Sequence, residues 1–218
     1  MPIQVQGNGG VTAEVEDSST RALRIVNKPL AYSTLGHYRT NHRCVLTAAQ
    51  AANSRLFTLR NSGTNFVIPT RLILKAVQSA AGTAQEASID VFRVTGFTVV
   101  DPTSTVTPTA SVKRTTGMTA AASTGAQIRG VTSTGVAAGM TGGTLVKDGN
   151  SIGQLPIVVA AAAASFLWRE DIFDDVNGTH PFLLAQNEGI IIENRALNTT
   201  SYGVTLYIDM TWAEVTAF

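Results

Sequence analysis

Residues 204–212 alternate in character. Val204, Leu206, Ile208, Met210 and Trp212 are apolar, and Thr205, Tyr207, Asp209 and Thr211 lie between them. Successive side chains of a strand point to opposite faces, so the pattern predicts a strand with one buried side, as in antiparallel sandwiches. Residues 71–77 repeat it, with Leu72, Leu74 and Ala76 on one face and Arg71, Ile73, Lys75 and Val77 on the other. Residues 87–100 are β-rich, with Ile89, Val91, Phe97, Val99 and Val100, and a small Gly-containing turn at 79–83 precedes them. Residues 21–26 and 55–60 read as shorter strands, closed by Lys28-Pro29 and by Asn61-Ser62-Gly63. A last strand starts at Ile190, after the turn Gln186-Asn187-Glu188-Gly189.

Other segments carry mixed signals. Residues 46–52 suit either a short Ala-containing helix or a strand and loop. Residues 157–168 suit a helix, because Ala favours one and Pro156 fits its first turn. The same residues suit a buried extended segment, because Val158 and Val159 are β-branched and no polar face appears. Residues 101–150 are dominated by small residues and read as short strands and loops, including 126–132 and 144–147. Asp148-Gly149 is a hairpin-turn signal. Residues 1–20 are polar and weakly patterned, and read as an extended N-terminal arm. The expected fold is all-β: an antiparallel β-sandwich, jelly-roll-like, formed by residues 21–218 as a single domain, with the arm at 1–20. Leu72, Leu74, Phe97, Leu206, Ile208 and Trp212 are its expected core.

Composition narrows the setting. The chain has 218 residues and one Cys, so no intramolecular disulfide forms. Charged residues make up 14%, against about 25% in an ordinary soluble domain. The net charge is +1, which argues against nucleic acid and against a polybasic membrane contact. The surface must then be largely Thr, Ser, Asn and Gln, which are cheap to desolvate and suit a chain covered by neighbours. Arg outnumbers Lys, as at protein interfaces. Drift in a GC-rich genome gives the same bias. Met1–Gly7 has neither a basic start nor an apolar stretch, so no secretory signal is expected. The longest apolar run, 157–168, is shorter than the ~20 residues of a membrane span.

Chemistry-bearing constellations are sparse. His37, His42 and Cys44 offer soft ligands for zinc, with His180 as a distant fourth, but no Cys pair supports them. They read better as polar interface histidines and a buried thiol. Glu170, Asp171, Asp174 and Asp175 have the oxygen density a calcium ion likes, but Phe173 and Val176 interrupt the ligand pattern. That cluster reads as a solvated turn, or as partners for Arg169, Arg195 or a neighbour's arginines. Glu188 and Glu193 are the one imaginable hydrolytic carboxylate pair. Esterase elbow, phosphate loop and dinucleotide fingerprint are all missing. No cofactor, no metal and no enzymatic activity are expected.

Two stretches carry a resemblance. Ala22-Leu23-Arg24-Ile25 through Pro29, followed by Leu35-Gly36-His37-Tyr38, resembles the opening of a group of small tailed-bacteriophage virion proteins. The stretch from Pro181 through Phe182-Leu183-Leu184-Ala185-Gln186-Asn187-Glu188-Gly189 to Ile190, with the closing Thr211-Trp212-Ala213-Glu214-Val215, resembles their C-terminal end. The similarity spans most of the chain and is firm at the two ends, while 101–150 matches in composition more than in motif. The resemblance implies a virion structural protein and identifies no catalytic residue. The expectation is a capsid decoration, or cement, protein that is assembled in the host cytoplasm. It binds the major capsid protein on the head exterior as a homo-oligomer, a trimer, without nucleic acid or membrane. The alternatives are a tail component (tail tube, fibre or receptor-binding module) and a polysaccharide hydrolase. Contact residues expected on this reading are Ile3, Val5, Arg21, Arg24, Phe166, Trp168, Arg169 and Phe173.

Overall fold

The computed structural model describes residues 4–6, 12–14, 36–46, 50–78, 80–101, 105–106, 112–113, 125–131, 139–140, 142–162, 166–174, 182–196 and 203–216. Among them are strands and no helix. In chain order the strands are β1 (Gln4–Gln6), β2 (Thr12–Glu14), β3 (His37–Leu46), β4 (Ser54–Asn61), β5 (Phe66–Gln78), β6 (Gln85–Val99) and β7 (Thr105–Val106). They continue as β8 (Val112–Lys113), β9 (Ala126–Val131), β10 (Thr144–Lys147), β11 (Gly153–Val159), β12 (Phe166–Asp174), β13 (Gly189–Asn194) and β14 (Val204–Val215). β1 and β2 pair with each other.

Two antiparallel sheets make the body. One runs β12-β5-β14-β3-β8, and the other runs β6-β13-β4-β9-β7 with β10 and β11 in succession along the free edge of β6. Leaving aside β7, β8 and β9, the strands take the double Greek-key order of a jelly roll, and the chain crosses between the sheets at every step except from β6 through β10 to β11. The three extra strands belong to the small-residue stretch after β6. β9 and β7 extend one sheet beyond β4, and β8 extends the other beyond β3.

The core fills the space between the sheets. Leu72, Leu74 and Ala76 of β5 meet Leu206, Ile208, Met210 and Trp212 of β14, facing Ile190 and Ile192 of β13 and Ile89 and Val91 of β6. Trp212 stacks on Tyr38 with ring centroids 5.8 Å apart. Each such aliphatic side chain contributes about 1.5–3 kcal/mol by leaving water. Phe97 is buried too, but in a second cluster with Phe92, Val94 and Ile191, on the far side of the β6–β13 sheet. β13 is therefore covered on both faces.

Three local readings change. The described residues of 157–168 are not helical. β11 alternates, with Leu155, Ile157 and Val159 buried and Gln154, Pro156 and Val158 exposed, and β12 begins at Phe166. A ladder with β6 outweighs the helix propensity of Ala, and Pro156 is tolerated because β11 is an edge strand. Asp148-Gly149 does not close a hairpin, because β10 and β11 both pair with β6 and not with each other. The described residues 80–84, between β5 and β6, carry the chain from one sheet to the other.

His42 fastens the extra strands to the sandwich. Its ring points into the core beside Phe57, and Nε2–H donates to the Val131 carbonyl of β9 at 2.9 Å. Only glycine fits opposite, since a Cβ on Gly130 would lie 2.4 Å from His42 Nε2. Glu214 makes a second tie, accepting from the backbone N–H groups of Gly125 and Ala126.

Burial depresses the His42 pKa below its ordinary 6.5, against the opposing pull of the Val131 carbonyl. The unfolded chain then takes up this proton at higher pH than the folded chain does. Stability is therefore complete above about pH 6.5 and falls as pH drops toward the folded value. Urea melts at about pH 7.5 and pH 5 should show a steeper loss for the native chain than for His42→Gln. Equal losses would remove His42 as the source.

Candidate functional site

The solvent face of the β12–β5–β14–β3 sheet is a registered grid. One row across the strands reads Arg43, Tyr207, Lys75 and Arg169. The next row reads Asn41, Asp209, Ile73 and Asp171, and the one beyond it includes Arg39, Thr211 and Arg71. On the other side lie Val45, Thr205, Val77 and Leu167. Neighbours within a row are about 4.8 Å apart, the spacing of paired strands. The face carries a depression of about 370 Å³ between Arg43, Lys75, Tyr207 and Asp209.

Its charges are unevenly satisfied. Arg169 is bidentate to Asp171, at 3.2 and 3.0 Å. The Asn41 amide, turned so that its nitrogen faces Asp209, donates to Oδ1 at 2.9 Å. Among the described residues, Arg39, Arg43, Arg71 and Lys75 have no carboxylate in reach. The Arg71 Nε is buried without an acceptor. Tyr207, 41% exposed, stands among these cations, and Leu167, 64% exposed, lies at the border.

β12 bounds this face. It pairs with β5 on one side only, so its other edge carries open ladder groups among the described residues. Alternation divides its side chains. Leu167, Arg169 and Asp171 are exposed, while Trp168, Ile172 and Phe173 pack on the core. A register shift between Asp171 and Phe173 turns Phe173 inward, where it stacks on Phe182 at 6.2 Å.

The expected contact residues therefore separate. Arg169 lies in the solvent-facing grid, and Trp168 and Phe173 serve the interior. Phe166 opens β12, and its side chain lies outside the described residues. So do Ile3, Arg21, Arg24 and the Val5 side chain, although the Val5 backbone belongs to β1. Of the acidic cluster, Glu170, Asp171 and Asp174 fall on β12 and not in a turn; Asp171 pairs with Arg169, as expected, whereas Arg195 pairs with Asp90. Asp175 and His180 lie outside the described residues.

The other constellations dissolve. His37 lies on the face opposite His42, and its Nε2 meets the Thr70 hydroxyl at 3.1 Å. His42 is engaged by Val131, and Cys44 is fully buried in the core. No group of three metal-ligating side chains occurs among the described residues. Glu188 and Glu193 stand at opposite ends of β13 on different cations, Arg93 at 2.6 Å and Lys147 at 2.7 Å. Glu188 holds the Arg93 pKa above its usual value and also caps the turn at the Ala185 N–H.

Sequence reading had placed Arg71 with Lys75 and Tyr207 with Asp209, each on one face of its own strand. It missed Arg39 and Arg43, whose alternation with Tyr38, Thr40, His42 and Cys44 was the available signal. Comparison of the chain with protein-family models, curated proteins and solved structures finds no match.

Burial pushes the Cys44 thiol up to about 12, so almost no thiolate forms at neutral pH. A disulfide reagent should label Cys44 only as fast as the sandwich unfolds, tracked by rising rates in sub-denaturing urea. Rapid labelling of the native chain would contradict this burial.

Proposed function

We propose that this chain is a non-enzymatic structural protein of a tailed-phage virion. In this reading it decorates the exterior of the head, bound to the major capsid protein as a homo-oligomer, a trimer. The observation that carries the reading is the face around Tyr207, where four cations have no carboxylate partner among the described residues, beside the edge of β12 that is open among them. Such a face suits a broad protein surface better than a small molecule. Tyr and Arg dominate the energetics of protein contacts because they bury large, rigid or forked groups at modest entropic cost. Asp209 and Asp171 among the cations favour a protein of mixed charge over a phosphate backbone, which they would repel. The open edge of β12 adds a place for a neighbour's strand. The resemblance at the two ends of the chain supplies the virion setting.

Mass spectrometry of banded particles should find many copies per particle; a few copies would favour the tail alternative. Arg43→Glu with Lys75→Glu should keep the fold, since neither residue is in the core, and weaken particle attachment by about tenfold or more. Attachment should also weaken with salt in the native chain. A doubly reversed variant that coats particles as well as the native chain would overturn the assignment of this face, and a monomer by sedimentation would overturn the oligomer.

A further inference from the structure

On the opposite side of the molecule, where the loop between β10 and β11 meets the outer side of the β6–β13 sheet, lies a half-open pocket of about 550 Å³, lined chiefly by Lys147, Asp148, Asn150, Ser151, Glu193 and Arg195. That size lies within the range of small-molecule sites. Three parts of the chain, far apart in sequence, meet here. β6 and β13 place Asp90 directly opposite Glu193. Carboxylates in that relation repel unless each is compensated. Here each has its own cation. Lys147 Nζ donates to Glu193 Oε2 at 2.7 Å, and Arg195 Nη1 donates to Asp90 Oδ2 at 2.8 Å. Ser88 Oγ adds a bond to Asp90 Oδ1 at 2.7 Å.

The pairs leave bonding capacity aimed outward. The Asp90 side chain is fully buried, but that of Arg195 is 64% exposed, so most of its N–H donors remain free. Glu193 Oε1 accepts no bond from the described residues. Lys147 keeps two further donors, with its ammonium 4.5 Å from the Phe92 ring centroid. Asn150 and Ser151 add neutral polar groups from the loop between β10 and β11.

We propose that this cavity binds a neutral, polyhydroxylated ligand, a hexose unit. A hydroxyl both donates and accepts, so one group can accept from Arg195 or Lys147 while donating to Glu193 or Asp148. Neighbouring hydroxyls of a pyranose match this mixture of donors and acceptors. An anion fits worse, because both cations are already paired and the carboxylates repel it. A cation fits worse, because Lys147 and Arg195 line the wall. The pairing also holds Glu193 as a fixed acceptor, which suits binding rather than chemistry. This site is independent of the docking face on the other sheet.

The test is amide-resolved NMR of the full chain titrated with glucose, galactose, mannose and N-acetylglucosamine, with glucuronic acid and glucosamine as charged counterparts. At least one neutral sugar should shift amides at 147–151 and 193–195, and its charged counterparts should bind more weakly. Arg195→Ala should weaken binding about tenfold. The proposal fails if no neutral sugar shifts these amides, if a charged sugar binds more tightly, or if binding is unchanged in Arg195→Ala.

Discussion

Everything in this molecule depends on the register of β14 between β3 and β5. It pairs with β3 along ten residues and with β5 along twelve. Its apolar set points inward, with Leu206, Met210 and Trp212 fully buried. A slip of one residue would turn Tyr207 and Asp209 into the core and expose the apolar set. At about 1.5–3 kcal/mol for each aliphatic side chain, no alternative pairing could compete. The same register sets out the cationic grid, because Tyr207 stands between Arg43 and Lys75 only when Ile208 faces inward.

The stretch between β6 and β10 gives the sandwich its asymmetry. Its strands β7, β8 and β9 cover the β3–β4 side, and His42 and Glu214 fasten β9 from the core and from the end of β14. On the other side, β12 and the two strands along β6, β10 and β11, are edges among the described residues. Open ladder groups invite added strands, and proteins usually blunt them with Pro or charge. Pro156 does so on β11, while β12 keeps its open edge among the described residues. The polar bonding of the fold is concentrated where it is needed: Asn61 and Glu188 anchor the turn ahead of β13, which itself has no exposed face.

The strands of the core were legible in the sequence because their signal is local. Leu72, Leu74, Leu206, Ile208 and Trp212 followed from alternation alone, and so did the polar faces opposite them. Residues 157–168 were not legible, since Ala suits both a helix and an extended edge, and the ladder with β6 decided. Asp148-Gly149 misled for a related reason: a turn signal does not say which strand the chain joins next. The zinc, calcium and carboxylate readings relied on closeness in sequence. The structure parts His37 from His42 by strand alternation and gives Glu193 the distant Asp90 as its neighbour.

By itself, then, the sequence determined the all-β class, most of the buried faces and the absence of familiar catalytic motifs, because period, propensity and motif are properties of neighbouring residues. Only the tertiary structure decided the jelly-roll order, the grid around Tyr207 and the cavity between Lys147 and Arg195. Those depend on which strands lie side by side and in what register. That choice is made by fitting two apolar sheet faces together across the whole chain, and no short stretch of residues contains it.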